Sequence, residues 1–289
     1  MLTFQLGFMP TLTRLQSILS ALCVAMSLGI TGAAIAADPI SVVSKFSPGS
    51  SETIDHSAWD QLLKSYVKPG KDGLNRVDYA GFRSAGQGEL KLYIDRLQKL
   101  DPQTLDRAEQ FALLANLYNA KTIDIVLDKY PVKSIKSISL GGGLLASFTG
   151  GPWKAKVLQL RGVALSLDDI EHGILRPVFK DPRVHYAVNC ASVGCPNLQA
   201  EAFTGATLGA QLDAGARAYI NHPRGVSVTS GGVMVSSIYN WFKTDFGDSD
   251  AGVLSHLRKY ANPELATKLG ATRELSGHQY DWSLNDVRR

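Results

Sequence analysis

Apolar side chains recur at helical spacing along most of the chain and at alternating spacing in only a few short segments. Helices are predicted over residues 59–67, 89–100, 104–129, 206–221 and 252–260. Short strands or hairpins are predicted over 157–163, 184–189 and 226–235, the last around a Thr-Ser-Gly-Gly turn. Because helices outweigh strands and no repeat or long linker interrupts them, the pattern predicts an α+β fold, a helix-rich single domain around a small, mainly antiparallel sheet.

The first 36 residues differ from the rest of the chain. They contain a single charged residue, Arg14, followed by an apolar run over 15–30 and by the small residues of Ala34-Ile35-Ala36. This order is typical of a cleavable signal peptide, and a retained membrane anchor is the alternative. We therefore expect a signal peptide over 1–36, a loose leader over 37–52 and one globular domain over 53–289. The protein would be exported to the periplasm or the extracellular space, with no stable membrane anchor after cleavage.

Charge and cysteine content narrow the classes of function. The 289 residues include 30 Lys and Arg and 26 Asp and Glu, and the net charge is +4. These charges are interspersed rather than clustered, so no nucleic-acid surface is predicted. Of the three cysteines, Cys23 would leave with the signal peptide, and the mature chain would keep Cys190 and Cys195. No cofactor is expected.

The segment 181–196 brings His185, Asn189, Cys190 and Cys195 together within eleven positions. One interpretation is a thiolate nucleophile at Cys190 that a nearby imidazole activates. On a straight strand His185 and Cys190 face opposite sides, so the partner would require a turn at Asn189 or would be another histidine, His56, His172 or His278. The alternatives are a Cys190–Cys195 disulfide, which is the default in an oxidising compartment, two buried thiols, or a zinc site. Because a zinc site needs a fourth ligand from elsewhere, no metal is predicted.

Two amides lie on the long apolar helix predicted over 104–129. Asn116 and Asn119 are three positions apart and share one helix face, among neighbours that are nearly all apolar. At least one of them should therefore be buried, and a buried amide requires hydrogen-bond partners. The amides either tie loop backbone to the core or orient a substrate or a catalytic imidazole.

Two further segments carry polar side chains that could face a pocket. Ser166 and Asp169 resemble a capping box, which would open a helix that ends near Arg176, before Pro177. Glu171 and Arg176 lie either on a solvated face of this helix or in a pocket beside Cys190. The segment 236–246 is rich in aromatic residues such as Trp241, which is typical of a core or a pocket wall, and its only acid is Asp245.

Taken together, these motifs resemble one known family, the domain of unknown function 547. The resemblance extends over about 108–246, and a second, shorter similarity lies over 280–285. The motifs that carry it are Asn116-Leu-Tyr-Asn119-Ala, Ser166 through Arg176, Asp181-Pro-Arg-Val-His185, Asn189-Cys190-Ala, Cys195-Pro196 and Trp241-Phe242…Asp245-Phe246. One departure is Ala112, where the family usually has Trp. The resemblance supplies no activity. It implies an exported bacterial member whose motif residues should converge on one pocket, and these residues are Asn119, Glu171, Arg176, His185 and Cys190.

The sequence leaves two functions open. The first is a cysteine-dependent hydrolase or acyl transferase with Cys190 as nucleophile, His185 as base or orienting group, and Asn119 or Asn189 as donors to an oxyanion. Its small-molecule or peptide-like substrate would be bound by Glu171, Arg176, Asn116, Trp241 and Asp245. The second is a non-catalytic module with a structural Cys190–Cys195 disulfide, whose pocket binds a ligand or a partner in the cell envelope.

Overall fold

The computed structural model describes residues 37–140, 151–270 and 272–288, and from residue 37 onwards they belong to one compact unit. The predicted signal peptide over 1–36 lies outside the described residues. Within the described residues, no helix has the length and apolar character that crossing a bilayer would require.

Helix α4 (Arg107–Lys129) forms the centre of the main core. Nearly every residue between Glu109 and Leu127 is buried, as expected for a helix that is apolar on all sides. The Asp106 side chain caps its first turn by accepting a hydrogen bond from the Glu109 N–H (2.8 Å). Helices α2 (Tyr79–Ala85) and α3 (Gln87–Leu97) pack against α4, and α1 (Ser57–Tyr66) packs against α2 and α3.

The strands are short and divide among three small sheets. Strands β1 (Val67–Pro69) and β2 (Asn75–Val77) pair antiparallel, as do β3 (Leu158–Leu160) and β4 (Val163–Leu165). The predicted hairpin over 226–235 is present as β5 (Val226–Thr229) and β6 (Gly232–Ser236), and β7 (Gly277–Gln279) adds to β6 in parallel. The helix-rich α+β prediction with mainly antiparallel pairing is confirmed.

A second apolar cluster lies around the three-stranded sheet. Helices α6 (Leu208–Ile220), α8 (Asp250–Tyr260) and α9 (Pro263–Leu269) surround it, with the short helix α7 (Ile238–Trp241) following β6. The sequence pattern missed α9, which begins with Asn262 as its cap and with Pro263 at its first position.

The strand predicted over 184–189 is wrong. Residues Val184–Ala187 form a helical turn, α5, and the backbone becomes extended at Val188. The preceding Asp181-Pro182 starts this turn, because the Asp181 side chain accepts a hydrogen bond from the Arg183 N–H (2.9 Å). A short, mainly apolar run is compatible with either element, and here the turn at Asp181 favours the helix.

Part of the segment 37–52, which was expected to form a loose leader, is ordered and buried. Pro39–Val43 forms a 3-10 helix that the Asp38 side chain caps, and Val42 and Val43 are buried in the main core. Two adjacent valines can both be buried because the turn packs against β4, the segment that follows β4 and the short 3-10 helix Pro102–Thr104.

A buried amide–imidazole network connects the core to the loop before α6. The Phe203 backbone fixes the orientation of the Asn116 amide, since its N–H donates to Asn116 Oδ1 (3.0 Å) and its carbonyl accepts from Nδ2 (2.8 Å). The other Nδ2 hydrogen faces His56 Nε2 at 3.2 Å. His56 Nε2 must therefore accept, which leaves the proton on Nδ1, 2.7 Å from the Tyr93 hydroxyl. This network confirms that Asn116 is buried and ties loop backbone to the core.

His56 makes stability dependent on pH. Burial lowers the pKa of His56 to about 4, whereas an unfolded histidine titrates near 6.5. Between these values the unfolded chain binds a proton that the folded chain excludes, so stability is complete above pH 6.5 and is lost as the pH falls. We expect His56 to contribute a loss of about 2 kcal/mol between pH 6.5 and pH 5.

Urea unfolding at a series of pH values measures this effect. The variant His56→Gln should show a shallower decline of the free energy of unfolding over that interval than the unmodified protein. Identical slopes in the two proteins would contradict a neutral, buried His56.

Candidate functional site

A cleft of about 260 Å³ opens between helix α4, the segment after β4 and the end of the chain. One side of the cleft is polar and carries Asp168, Glu171, His172 and His185. The other side is aromatic, and it is formed by Trp153, Trp241, Tyr280 and Trp282. Between the two sides lie Tyr118 of α4 and the two cysteines Cys190 and Cys195.

A π-helix, Asp169–Phe179, carries the polar side. The predicted capping box precedes it: Ser166 Oγ accepts from the Asp169 N–H (3.1 Å), and Asp169 Oδ2 accepts from the Ser166 N–H (2.6 Å). The helix was expected to end before Pro177 but continues to Phe179. In an α-helix a proline ring clashes with the carbonyl four residues earlier. The wider turn of a π-helix places that carbonyl differently relative to the ring, so Pro177 is accommodated.

The Asp245 carboxylate joins the π-helix to helix α5. Arg176 donates to it twice, from Nε to Oδ2 (2.6 Å) and from an Nη to Oδ1 (3.1 Å), and His185 Nε2 donates to Oδ2 (2.7 Å). Burial acts to raise the pKa of Asp245, but the hydrogen bonds from His185 and Arg176 outweigh it and hold the pKa well below its ordinary value. Phe242 stacks on the imidazole at 4.5 Å, and the guanidinium lies 4.6 Å from the same ring.

Glu171 lies on the cleft side of this cluster. The Tyr118 hydroxyl donates to its Oε2 (3.1 Å). Its Oε1 lies 3.9 Å from the Nδ1 atoms of both His172 and His185, beyond hydrogen-bond distance. Of the predicted substrate-binding residues, Glu171 and Trp241 line the cleft, whereas Arg176 and Asp245 lie behind His185 and bind each other.

Cys190 and Cys195 are bonded to each other in the wall of the cleft, with their Cα atoms 6.2 Å apart. The Cys190 N–H donates to the Cys195 sulfur (2.9 Å), and the Tyr280 hydroxyl lies 3.1 Å from the Cys190 sulfur. The expected pairing of His185 with Cys190 is not formed, because the imidazole nitrogen Nε2 binds Asp245. No imidazole lies within hydrogen-bond distance of the Cys190 sulfur among the residues that the structure describes.

The predicted oxyanion donors are occupied by backbone groups. Asn119 Nδ2 donates to the Ala187 carbonyl (2.8 Å), and its Oδ1 accepts from the Asn189 N–H (2.8 Å). Asn189 itself bridges the Pro196 carbonyl and the Ala191 N–H. Both amides are buried, so they hold α5 and the cysteine loop against α4 instead of facing the cleft.

Several residues of the cleft were not among the predicted site residues. Tyr118 lies inside the Asn-Leu-Tyr-Asn motif and Asp168 lies inside the capping motif, so these motifs contained a signal for both residues. Tyr280 and Trp282 belong to the segment 280–285, which also resembles the family, but no site role was predicted for them. Trp153 had no signal in the sequence. The described part of the chain contains no group of three His, Cys, Asp or Glu side chains arranged to hold a metal ion.

Replacement of Asn119 tests the structural role of this amide. Asn119→Ala leaves the Ala187 carbonyl and the Asn189 N–H buried without partners, and we expect a loss of about 3 kcal/mol in the free energy of unfolding. Urea denaturation measures it, with the exposed Asn240→Ala as the matched control, expected within about 0.5 kcal/mol of the unmodified protein. Equal stabilities of the two variants would show that the Asn119 hydrogen bonds do not hold the loop.

Residues 102–220 match the family described as "Protein of unknown function, DUF547". The matched segment contains Tyr118, the π-helix, α5 and both cysteines of the cleft, and it ends before Trp241. No curated protein and no solved structure matches the chain. The resemblance seen in the motifs is therefore confirmed over residues 102–220, the segment that matches the DUF547 family of proteins of unknown function.

Proposed function

We propose that the cleft binds a small molecule without transforming it, in an exported protein that keeps Cys190 and Cys195 oxidised. The observation that carries this proposal is how the reactive groups are paired. The sulfur of Cys190 is bonded to Cys195, and His185 donates to Asp245. A cysteine nucleophile needs a free sulfur beside a base, whereas a binding site needs only a preformed concave surface with a few polar groups.

The disulfide supports the export that the first 36 residues predict. Disulfides persist in oxidising compartments outside the cytosol and are rare within it. The Cys190–Cys195 bond closes a short loop between α5 and the Pro196 segment, and that loop forms the floor between the polar and aromatic sides of the cleft. A structural role for the bond is therefore consistent with its position.

A second candidate is the cysteine-dependent hydrolase or acyl transferase. It is favoured by one observation, that His185, which donates a hydrogen bond to Asp245, lines the same cleft as Cys190. The reaction would begin only after a thiol reductant opens the disulfide. The Cys190 thiolate would then attack a carbonyl carbon, the leaving group would depart, and water or another acceptor would release the acyl group from sulfur. Asn119 and Asn189 would not donate to the oxyanion, because backbone groups occupy their amides.

Alkylation of the purified protein tests the oxidised state directly. We expect neither Cys190 nor Cys195 to react with iodoacetamide under native conditions until reductant is added, with both sites read by peptide mass mapping. If the two cysteines are instead reduced in the purified protein and Cys190 is an activated nucleophile, Cys190 reacts without reductant and faster than Cys195 at neutral pH, as a thiol of low pKa does. That result would overturn the binding proposal in favour of the enzyme.

An acyl-transfer assay separates the two candidates after reduction. Reduced protein is incubated with p-nitrophenyl acetate, and acetylation of each cysteine is followed by peptide mass. The binding proposal predicts that Cys190 gains acetyl no faster than Cys195 and that His185→Gln changes neither rate. Rapid acetylation of Cys190 that His185→Gln slows by about 100-fold or more would establish general-base activation instead.

A further inference from the structure

The aromatic side of the cleft presents an exposed indole. Trp241 is 45% exposed, one of few large apolar side chains in the described residues with so much surface in water. Its ring lies 5.7 Å from that of Trp282, nearly parallel, and 4.9 Å from that of Tyr280. Trp153 meets Trp282 edge-on at 5.6 Å. This packing holds the indoles rigid, so an aromatic face is available without ordering on binding.

Among the described residues, no lysine or arginine forms an ion pair with the carboxylates on the polar side of the same cleft. Glu171 is only 9% exposed, and its Oε1 accepts no hydrogen bond from the described residues. Within the same part of the chain, the ion-pair partner of Asp168 is His172, at 3.9 Å, and the charge of Lys154 also acts on Asp168. Asp245, by contrast, is fully engaged by Arg176 and His185. Glu171 is therefore a nearly buried acid whose free oxygen faces the cleft.

The two sides are fixed next to each other by the backbone. The Asp168 N–H donates to the Trp153 carbonyl (3.0 Å), so the first acid of the polar side adjoins one end of the aromatic side. Burial raises the pKa of Asp168, and the charge of Glu171 acts in the same direction. A bound cation would stabilise both carboxylates, whereas an anion would be repelled by them.

We propose that the ligand of this cleft is a small organic cation, a protonated or quaternary amine, held between the Trp241 face and the Glu171 carboxylate. This inference rests on the proposed binding function and assigns its ligand class. Aromatic faces attract ammonium groups through the ring quadrupole, and the attraction is larger where the cation is desolvated. A cleft of about 260 Å³ accommodates an ammonium group with a short substituent rather than a macromolecule.

Choline and its neutral isostere 3,3-dimethyl-1-butanol provide the test, because they share shape and differ in charge. Each is titrated into the full oxidised protein, and binding is measured by isothermal titration calorimetry together with tryptophan fluorescence. We expect choline to bind at least about tenfold more tightly than the alcohol.

Two variants locate the binding. Glu171→Gln keeps the shape of the side chain and removes its charge, so it should weaken choline by about tenfold and leave the alcohol unchanged. Trp241→Leu keeps an apolar surface and removes the ring, so it should also weaken choline selectively. Glu264→Gln, on α9 and outside the cleft, is the matched control and should bind choline like the unmodified protein. Far-UV circular dichroism and urea unfolding show that each variant is folded.

The outcomes distinguish failure of the cationic-ligand inference from failure of the proposed binding function. If the alcohol binds as tightly as choline and Trp241→Leu weakens both, the cleft is a binding site but its ligand is not a cation. If choline gives no saturable response, or Glu171→Gln binds it unchanged, the cation inference is overturned. The alkylation and acetylation experiments then decide the binding proposal on their own, since neither depends on the charge of the ligand.

Discussion

The Asp245 carboxylate is the point at which the polar side of the cleft is held together. It accepts hydrogen bonds from Arg176 of the π-helix and from His185 of α5, two elements that no strand pairing connects. Hydrogen bonds between charged groups that are shielded from water are among the strong ones in proteins, and loss of the acceptor would leave a buried imidazole and a guanidinium without their partner. The placement of Glu171 and His172 on the cleft follows from this anchoring of the π-helix.

The hydrogen bond between His185 and Asp245 also determines which groups lie next to the cysteines. With Nε2 directed at Asp245 and the ring stacked on Phe242, His185 faces Glu171 rather than the Cys190 sulfur. The sulfurs contact each other, Tyr280 and Ser192 instead. The cleft is therefore divided into an acidic side and an aromatic side, with a disulfide between them. Such a division suits recognition of a cationic ligand better than attack on a carbonyl, which needs donors for the oxyanion.

The features that local sequence predicts well are those whose partners lie nearby in the chain. The capping box of Ser166 and Asp169 spans three positions, and the hairpin around Gly231 spans ten, so spacing alone identifies both. The burial of Asn116 also follows from its apolar neighbours. The α5 turn was misread as a strand because a short, mainly apolar segment fits either element, and the Asp181–Arg183 turn before it favours the helix.

Local sequence could not predict which residues contact each other within the site. His185 binds Asp245 sixty positions away, and Trp153 comes to the cleft by packing against Trp282 near the end of the chain. The π-helix depends on how Pro177 is accommodated, which residue spacing does not reveal. Of the five motif residues expected to converge on one pocket, Glu171, His185 and Cys190 line the cleft, whereas Asn119 and Arg176 do not. The motifs did not indicate which of these groups contact each other, because that depends on tertiary packing.

Nitrogen-15 NMR of the His185 imidazole tests the central claim most directly, since it reports which ring nitrogen carries the proton. The account predicts a proton on Nε2 with a strong hydrogen bond to Asp245, unchanged when the disulfide is reduced, because Asp245 and not Cys190 is the partner. A proton held on Nδ1 alone, or a shift of the Nε2 signal on reduction that Cys190→Ser abolishes, would show that His185 serves the sulfur and would contradict the account.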